Sequence, residues 1–226
     1  MKNNNLCAVV SGSNMDGIIQ NVFDVQQKVD CIEVRIDYLK NQKKCNLIPL
    51  KEITDINMII TCRRKDEGGK WNGNEMKRLQ LLRQAYDLGF SYVDVELSTL
   101  EEGQFKIPRN TKTKTIISFH DFAETPSLDD LRIIGERMQK YMPHIKKIAT
   151  IVKDEVDVHA LYRMLLEKKE GEKYCVIGMG KNGKQTRIVS SLLGGFLTYC
   201  SINTEGATAP GQMTCDEMKK IYKLLY

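Results

Sequence analysis

The sequence lacks several features that would place it at once. No apolar run approaches the roughly 20 residues a membrane helix needs, and the opening MKNNNLCAVV has no secretory apolar stretch ahead of folded sequence. A cytoplasmic protein without a membrane span is therefore expected. The seven cysteines, at 7, 31, 45, 62, 175, 200 and 215, include no CxxC pair. Neither a disulfide framework nor a zinc site is indicated, and most are read as buried thiols on strands. No low-complexity segment or Pro/Gly/Ser-rich linker divides the chain, so 1–226 is read as one domain. No GxGxxG follows the first strand-like run, which counts against an open dinucleotide-binding sheet. The net charge is only +5, with basic and acidic residues interleaved. Without a dense Lys/Arg stripe carrying aromatics, nucleic acid is not an expected partner, and most of this charge is read as solvated helix surface.

With 42% hydrophobic and 28% charged residues, 226 residues can bury one sizeable core. Eight β-type runs lie near 6–11, 30–38, 58–63, 92–97, 114–120, 146–152, 174–180 and 196–202. Amphipathic segments of helical period separate most of them. In NEMKRLQLLRQAYDLG, Met76, Leu79, Leu82 and Leu88 can share a face, with Gly89 closing the end. SLDDLRIIGERMQKYM opens with Ser127 as N-cap and has Asp129 and Asp130 in its first turn. Strands alternating with helices predict parallel βα units, and eight of them predict an α/β fold of the (β/α)8 TIM-barrel type, a single domain.

The ionisable residues fall on one parity face. Glu33, Arg35 and Asp37 oppose Ile32, Val34 and Ile36; Asp94 and Glu96 oppose Val93, Val95 and Leu97. Ile116, Ser118 and His120 share a face, as do Lys147, Ala149 and Ile151. Acids, arginines, a histidine and a lysine among small or apolar groups describe the lining of an enclosed site. Arg63 and His120 end their runs, where barrels carry their chemistry. Lys147 is the exception, coming early if its run begins at Lys146. Adjacent strand residues point to opposite sides, so only one of the two lysines can enter the lumen.

Taken in order, the motifs EVRID at 33–37, TCR at 61–63 with EGG at 67–69, DVEL at 94–97 and SFHDF at 118–122 are followed by KIA at 147–149, GMG at 178–180 with Arg187, and APGQ at 209–212. This series resembles the type I 3-dehydroquinate dehydratases, the Schiff-base class of the shikimate-pathway enzyme, over nearly the whole chain.

The resemblance implies that Lys147 forms an imine with the C3 ketone of 3-dehydroquinate, and that His120 removes the C2 proton and helps the C1 hydroxyl leave as water. It implies that Glu67 orients His120, that Arg187 grips the substrate carboxylate with Gln212 joining from a closing loop, and that Glu33, Arg35 and Arg63 bond the ring hydroxyls. Thr208 stands where many relatives carry serine before APGQ, keeping the hydroxyl and adding a methyl. A homodimer is implied, with no metal or organic cofactor. A nucleophilic lysine needs an apolar or cationic setting to lower its pKa from near 10. Ala149, Ile151 and nearby arginines are expected to supply it.

The residues also admit plainer roles. Asp37, Asp94 and Glu96 are read as members of a structural salt-bridge network, because buried charges must pair. His144 and His159 are read as structural, and the GMG and Gly194-Gly195 glycines as turn and packing residues. A class I aldolase-like barrel would also use a lumen lysine, without requiring the SFHDF histidine, EGG and an APGQ lid. A noncatalytic barrel binding an acidic polyol would keep Arg187 and Gln212 while losing Lys147 or His120.

Overall fold

The computed structural model describes residues 6–42 and 45–225, so the outer limits of the predicted 1–226 domain lie outside the described residues. Eight strands, β1 (Leu6–Ser11), β2 (Cys31–Arg35), β3 (Asn57–Thr61), β4 (Tyr92–Glu96), β5 (Lys114–Asp121), β6 (Ile145–Ile151), β7 (Tyr174–Met179) and β8 (Thr198–Ser201), form one parallel sheet. Its order is β7-β6-β5-β4-β3-β2-β1-β8. The sheet curls into a nearly closed barrel, with Phe196 N donating to Tyr174 O (2.7 Å) just ahead of β8. Helices α1 (Met15–Val25), α2 (Ile48–Glu52), α3 (Glu75–Asp87), α4 (Leu97–Glu101), α5 (Leu128–Gln139), α6 (Glu155–Leu166), α7 (Lys184–Leu192) and α8 (Cys215–Leu225) alternate with the strands.

Strand parity divides the interior into two apolar layers. Ile32, Val34, Ile60, Val93, Val95, Ile117, Ile148 and Val176 face the helices, while Cys7, Val9, Cys31, Ile59, Ile116, Ala149, Cys175 and Ile177 fill the lumen. Burying each large aliphatic side chain stabilises the fold by about 1.5–3 kcal/mol. Lys146 and Lys147 illustrate the alternation. Lys146 points outward, where Glu172 (2.6 Å) and the Tyr174 hydroxyl (3.2 Å) hold it, and Lys147 points into the lumen.

Local signals explain the helix boundaries. Ser127 caps α5 by accepting from Asp130 N, and Gly89 takes the left-handed φ of +70° that ends the chain's turn after α3. Four expectations are corrected. The second strand stops at Arg35 rather than 38, because 36–38 wind into a 3-10 turn, and the fourth stops at Glu96 because Leu97 opens α4. Met76 is 69% exposed, since the buried face of α3 is formed by Arg78, Leu82, Ala85 and Tyr86.

The fourth correction concerns cysteine. Cys200 and Cys215 form a disulfide, with Cα atoms 5.0 Å apart, whereas no disulfide framework was indicated and most of the seven were read as buried thiols. Cys200 faces away from the lumen, opposite in parity to Tyr199, and Cys215 is the first residue of α8, brought alongside by the Ser201–Thr214 bridge. The bond closes the base of the intervening loop. Thiol titration of the denatured, unreduced protein should therefore count five free cysteines, rising to seven after reduction. Seven before reduction would contradict the pairing.

Candidate active site

A cleft enclosing about 500 Å³ opens at the C-terminal end of the strands, and all nine residues singled out from the sequence line it. Glu33 and Arg35 come from β2, Arg63 from just beyond β3, His120 from β5 and Lys147 from β6. Glu67 comes from the turn after β3, Arg187 from α7, and Thr208 and Gln212 from the loop after β8.

Lys147 is buried, with Nζ 2.9 Å from Glu33 Oε1 and 3.1 Å from Asp94 Oδ2, and 4.3 Å from the centre of the Tyr199 ring. This corrects the expected setting. Burial works to lower its pKa and Arg63 acts the same way, but the two carboxylates prevail and hold it above the ordinary lysine value. Lys147 is therefore held as an ammonium. The sign follows: the paired charge contributes stability below the ordinary lysine pKa, and that contribution is lost as pH rises through the raised value.

Asp94 and Glu96 are fixed from behind. Arg63 bonds Asp94 Oδ1 (2.8 Å), Glu96 Oε1 (3.1 Å) and the Ser118 hydroxyl (2.6 Å), and that hydroxyl donates to Asp94 Oδ1 (2.6 Å). Arg78, fully buried although it sits on α3, donates to Glu96 Oε2 (2.8 Å), Cys62 O (2.7 Å) and Thr99 Oγ1 (2.9 Å). Arg35 is locked bidentately on Asp37 (2.9 and 2.8 Å). Asp37 and Glu96 thus sit in the salt-bridge network the sequence reading gave them, while Asp94 in addition touches Lys147.

His120 Nδ1 lies 3.1 Å from Glu67 Oε2, and Glu67 Oε1 accepts from the Ser98 hydroxyl (2.7 Å). A carboxylate only accepts, so Nδ1 carries the proton and Nε2 keeps its lone pair. The EGG turn makes this contact possible. Gly68 has φ +77°, and a Cβ there would lie 2.2 Å from the Phe122 ring; a Cβ on Gly69 would lie 2.0 Å from Arg63 O. Burial, then Arg63 and Lys147, push His120 well below its ordinary pKa of 6.5, while burial raises that of Glu67.

Arg187 is buried with no carboxylate beside it among the described residues. Its Nη2 reaches Pro210 O at 3.4 Å, and its Nε has no hydrogen-bond partner. Burial lowers its pKa to about 10. Gln212 Oε1 accepts from Thr208 N (2.9 Å) and Thr208 Oγ1 (3.4 Å). This loop packs on the GMG turn, where Gly180 N donates to Pro210 O (3.1 Å) and a Cβ on Gly211 would lie 2.3 Å from Gly180 O.

Sequence reasoning missed Arg78, Tyr199 and, as a direct contact of Lys147, Asp94. For Asp94 the parity signal was available; Arg78 is on a helix and gave none. Among the described residues no group of three or more His, Cys, Asp or Glu is placed to hold a metal ion.

A parallel eight-stranded barrel with an ionisable cluster at the C-terminal ends of its strands defines a (β/α)8-barrel enzyme. The family model for type I 3-dehydroquinase matches residues 6–226. A 3-dehydroquinate dehydratase of Coxiella burnetii is 36% identical over 222 residues, covering 98% of this chain and 93% of the relative. One from Methanosarcina acetivorans is 39% identical over 210 residues, covering 88% and 87%. Among solved structures, the 3-dehydroquinate dehydratase of Geobacillus kaustophilus superposes with a TM-score of 0.89 at 24% identity, covering 99% of this chain and 91% of that one. That of Aquifex aeolicus gives 0.76 at 27% identity, with 98% of each chain covered. The chain belongs to the type I 3-dehydroquinase family and is a hydro-lyase.

The depressed pKa of His120 has a measurable consequence. Its imidazole should titrate below pH 6.5 in NMR of the free enzyme, keeping the base form through neutral pH. Because the unfolded chain takes up that proton first, stability should fall as pH drops through the interval between the ordinary and the depressed value. Titration at or above pH 6.5 would contradict the geometry.

Proposed function

We propose that the chain dehydrates 3-dehydroquinate to 3-dehydroshikimate through an imine on Lys147, with His120 as general base and then acid. The carrying observation is that one cleft brings together Lys147, the free Nε2 of His120 and the unpaired guanidinium of Arg187.

Arg187 binds the substrate carboxylate, which satisfies a buried cation that has no counter-ion. Thr208 and Gln212 cover it from the loop, and Glu33, Arg35 and Arg63 bond the ring hydroxyls. The ammonium of Lys147 first gives up a proton, for which Glu33, at 2.9 Å, is the adjacent acceptor. The amine then attacks the C3 ketone, and water leaves as the C=N bond forms. Protonating the imine restores the positive charge between Glu33 and Asp94, so the carboxylates that hold the ammonium also stabilise the electron sink.

The acidified C2 proton passes to Nε2 of His120, and its electron pair forms the enamine. Glu67 stabilises the resulting imidazolium. Collapse of the enamine forms the C1–C2 double bond as the C1 hydroxyl departs, taking the proton from His120 as water. Hydrolysis of the remaining imine releases product and regenerates Lys147. The imine supplies the electron sink, so the scheme requires neither metal nor organic cofactor. A homodimer completes the reading, on the family resemblance.

Lys147→Ala should show no growth of enone absorbance from 3-dehydroquinate, and His120→Ala should yield neither product nor exchange of the C2 hydrogen with D2O. Rapid turnover by either variant would overturn the proposal. Arg187→Gln should cost about 2 kcal/mol or more of transition-state binding, roughly 30-fold in kcat/KM. An unchanged kcat/KM would remove Arg187 from the substrate site.

A further inference from the structure

At the opposite end of the barrel, where β5 and β6 begin, a second and larger cleft encloses about 1730 Å³ up to its mouth. It is lined by the segment before β5 and the turn between α5 and β6, two stretches without an acidic residue. No Asp or Glu occurs from 103 to 120 or from 137 to 153. Lys106, Arg109, Lys114 and Lys140 line the cleft, no carboxylate lines it, and among the described residues none of the four is ion-paired. Glu101, whose carboxylate feels Lys140, is already held by Arg137 at 2.8 Å. Beside a net charge of +5 for the whole chain, four unpaired cations in one cleft are a concentration, not a solvated scatter.

Two further observations bear on the same place. The non-glycine residues with positive φ among those described, Asn110 (59°) and Met142 (52°), both line this cleft, one from each segment. A left-handed backbone is costly for a side chain such as methionine, and such strain gathers where geometry serves a ligand. His144 lies in the cleft wall, its Nε2 3.2 Å from Lys173 Nζ. Burial, then Lys173 and Lys114, lower its pKa to about 4, as a positive field requires.

We propose that this cleft is a second anion site, taking a compact polyanion with two or three linked phosphate groups. Each phosphate group carries about −1.5 to −2 charges at neutral pH, so two of them balance the four cations, which a single carboxylate cannot. The site is on the barrel face away from Lys147 and is independent of the reaction assigned to that residue.

Isothermal titration of pyrophosphate at constant ionic strength tests the assignment on three proteins: wild type, the Lys114→Ala/Lys140→Ala double variant and Arg187→Gln. Both lysines are exposed, so the double variant should fold and turn over substrate as wild type does. Expected are one saturable site, binding at least tenfold weaker in the double variant and unchanged in Arg187→Gln, and an upward shift of the His144 titration on saturation. No saturable binding, equal affinity in the double variant, or an unmoved His144 would overturn it. Loss of binding in Arg187→Gln would also do so, by placing the anion in the lumen.

Discussion

The position of the Lys147 ammonium between Glu33 and Asp94 is the constraint around which the lumen is arranged. A lone ammonium buried there would lose its proton or destabilise the fold. Two carboxylates remove that cost but would repel each other without further cations. Arg63 answers for Asp94, and through Glu96 it brings in Arg78 from the helical layer. Each charge in the chain from Lys147 to Arg78 is therefore needed by its neighbour, and the pattern ties β2, β3, β4, β6 and α3 to one another across the barrel.

The exception is Arg187, buried with an unsatisfied Nε. Among the described residues only the Pro210 carbonyl reaches its guanidinium and no carboxylate balances its charge, and this imbalance makes it a receptor for an anion. His120 is the complementary case. It is kept neutral by burial and by the cations beside it, while Glu67 fixes which nitrogen carries the proton. The site thus separates its tasks by electrostatics: a stored cation at Lys147, a neutral base at His120 and an unpaired cation at Arg187.

Much of this was legible because strand parity is a strict signal. A period of two puts Glu33 and Arg35, Ser118 and His120, and Lys147 and Ala149 in the lumen, wherever the strand ends fall by a residue or two. Parity admitted only one of Lys146 and Lys147 to the lumen, and the resemblance of KIA at 147–149 to the family motif picked Lys147. What it could not reach lies off the strands. Arg78 sits in an amphipathic helix, where a charged residue ordinarily reads as solvated, and only the tertiary partners Glu96 and Thr99 show it to be buried. The Cys200–Cys215 pairing depends on how the loop returns α8 to β8, which spacing does not encode. The setting of Lys147 was misjudged for a related reason. The apolar neighbours on its own strand were visible, whereas the decisive carboxylates come from β2 and β4.

The central claim is that Lys147 becomes covalently joined to substrate. It is tested most directly by the intact mass of the protein mixed with 3-dehydroquinate and borohydride, followed by peptide mapping. The account predicts a stable adduct, formed only when both reagents are present, on the peptide that holds Lys147. No adduct, or an adduct on another lysine such as Lys146, would contradict it.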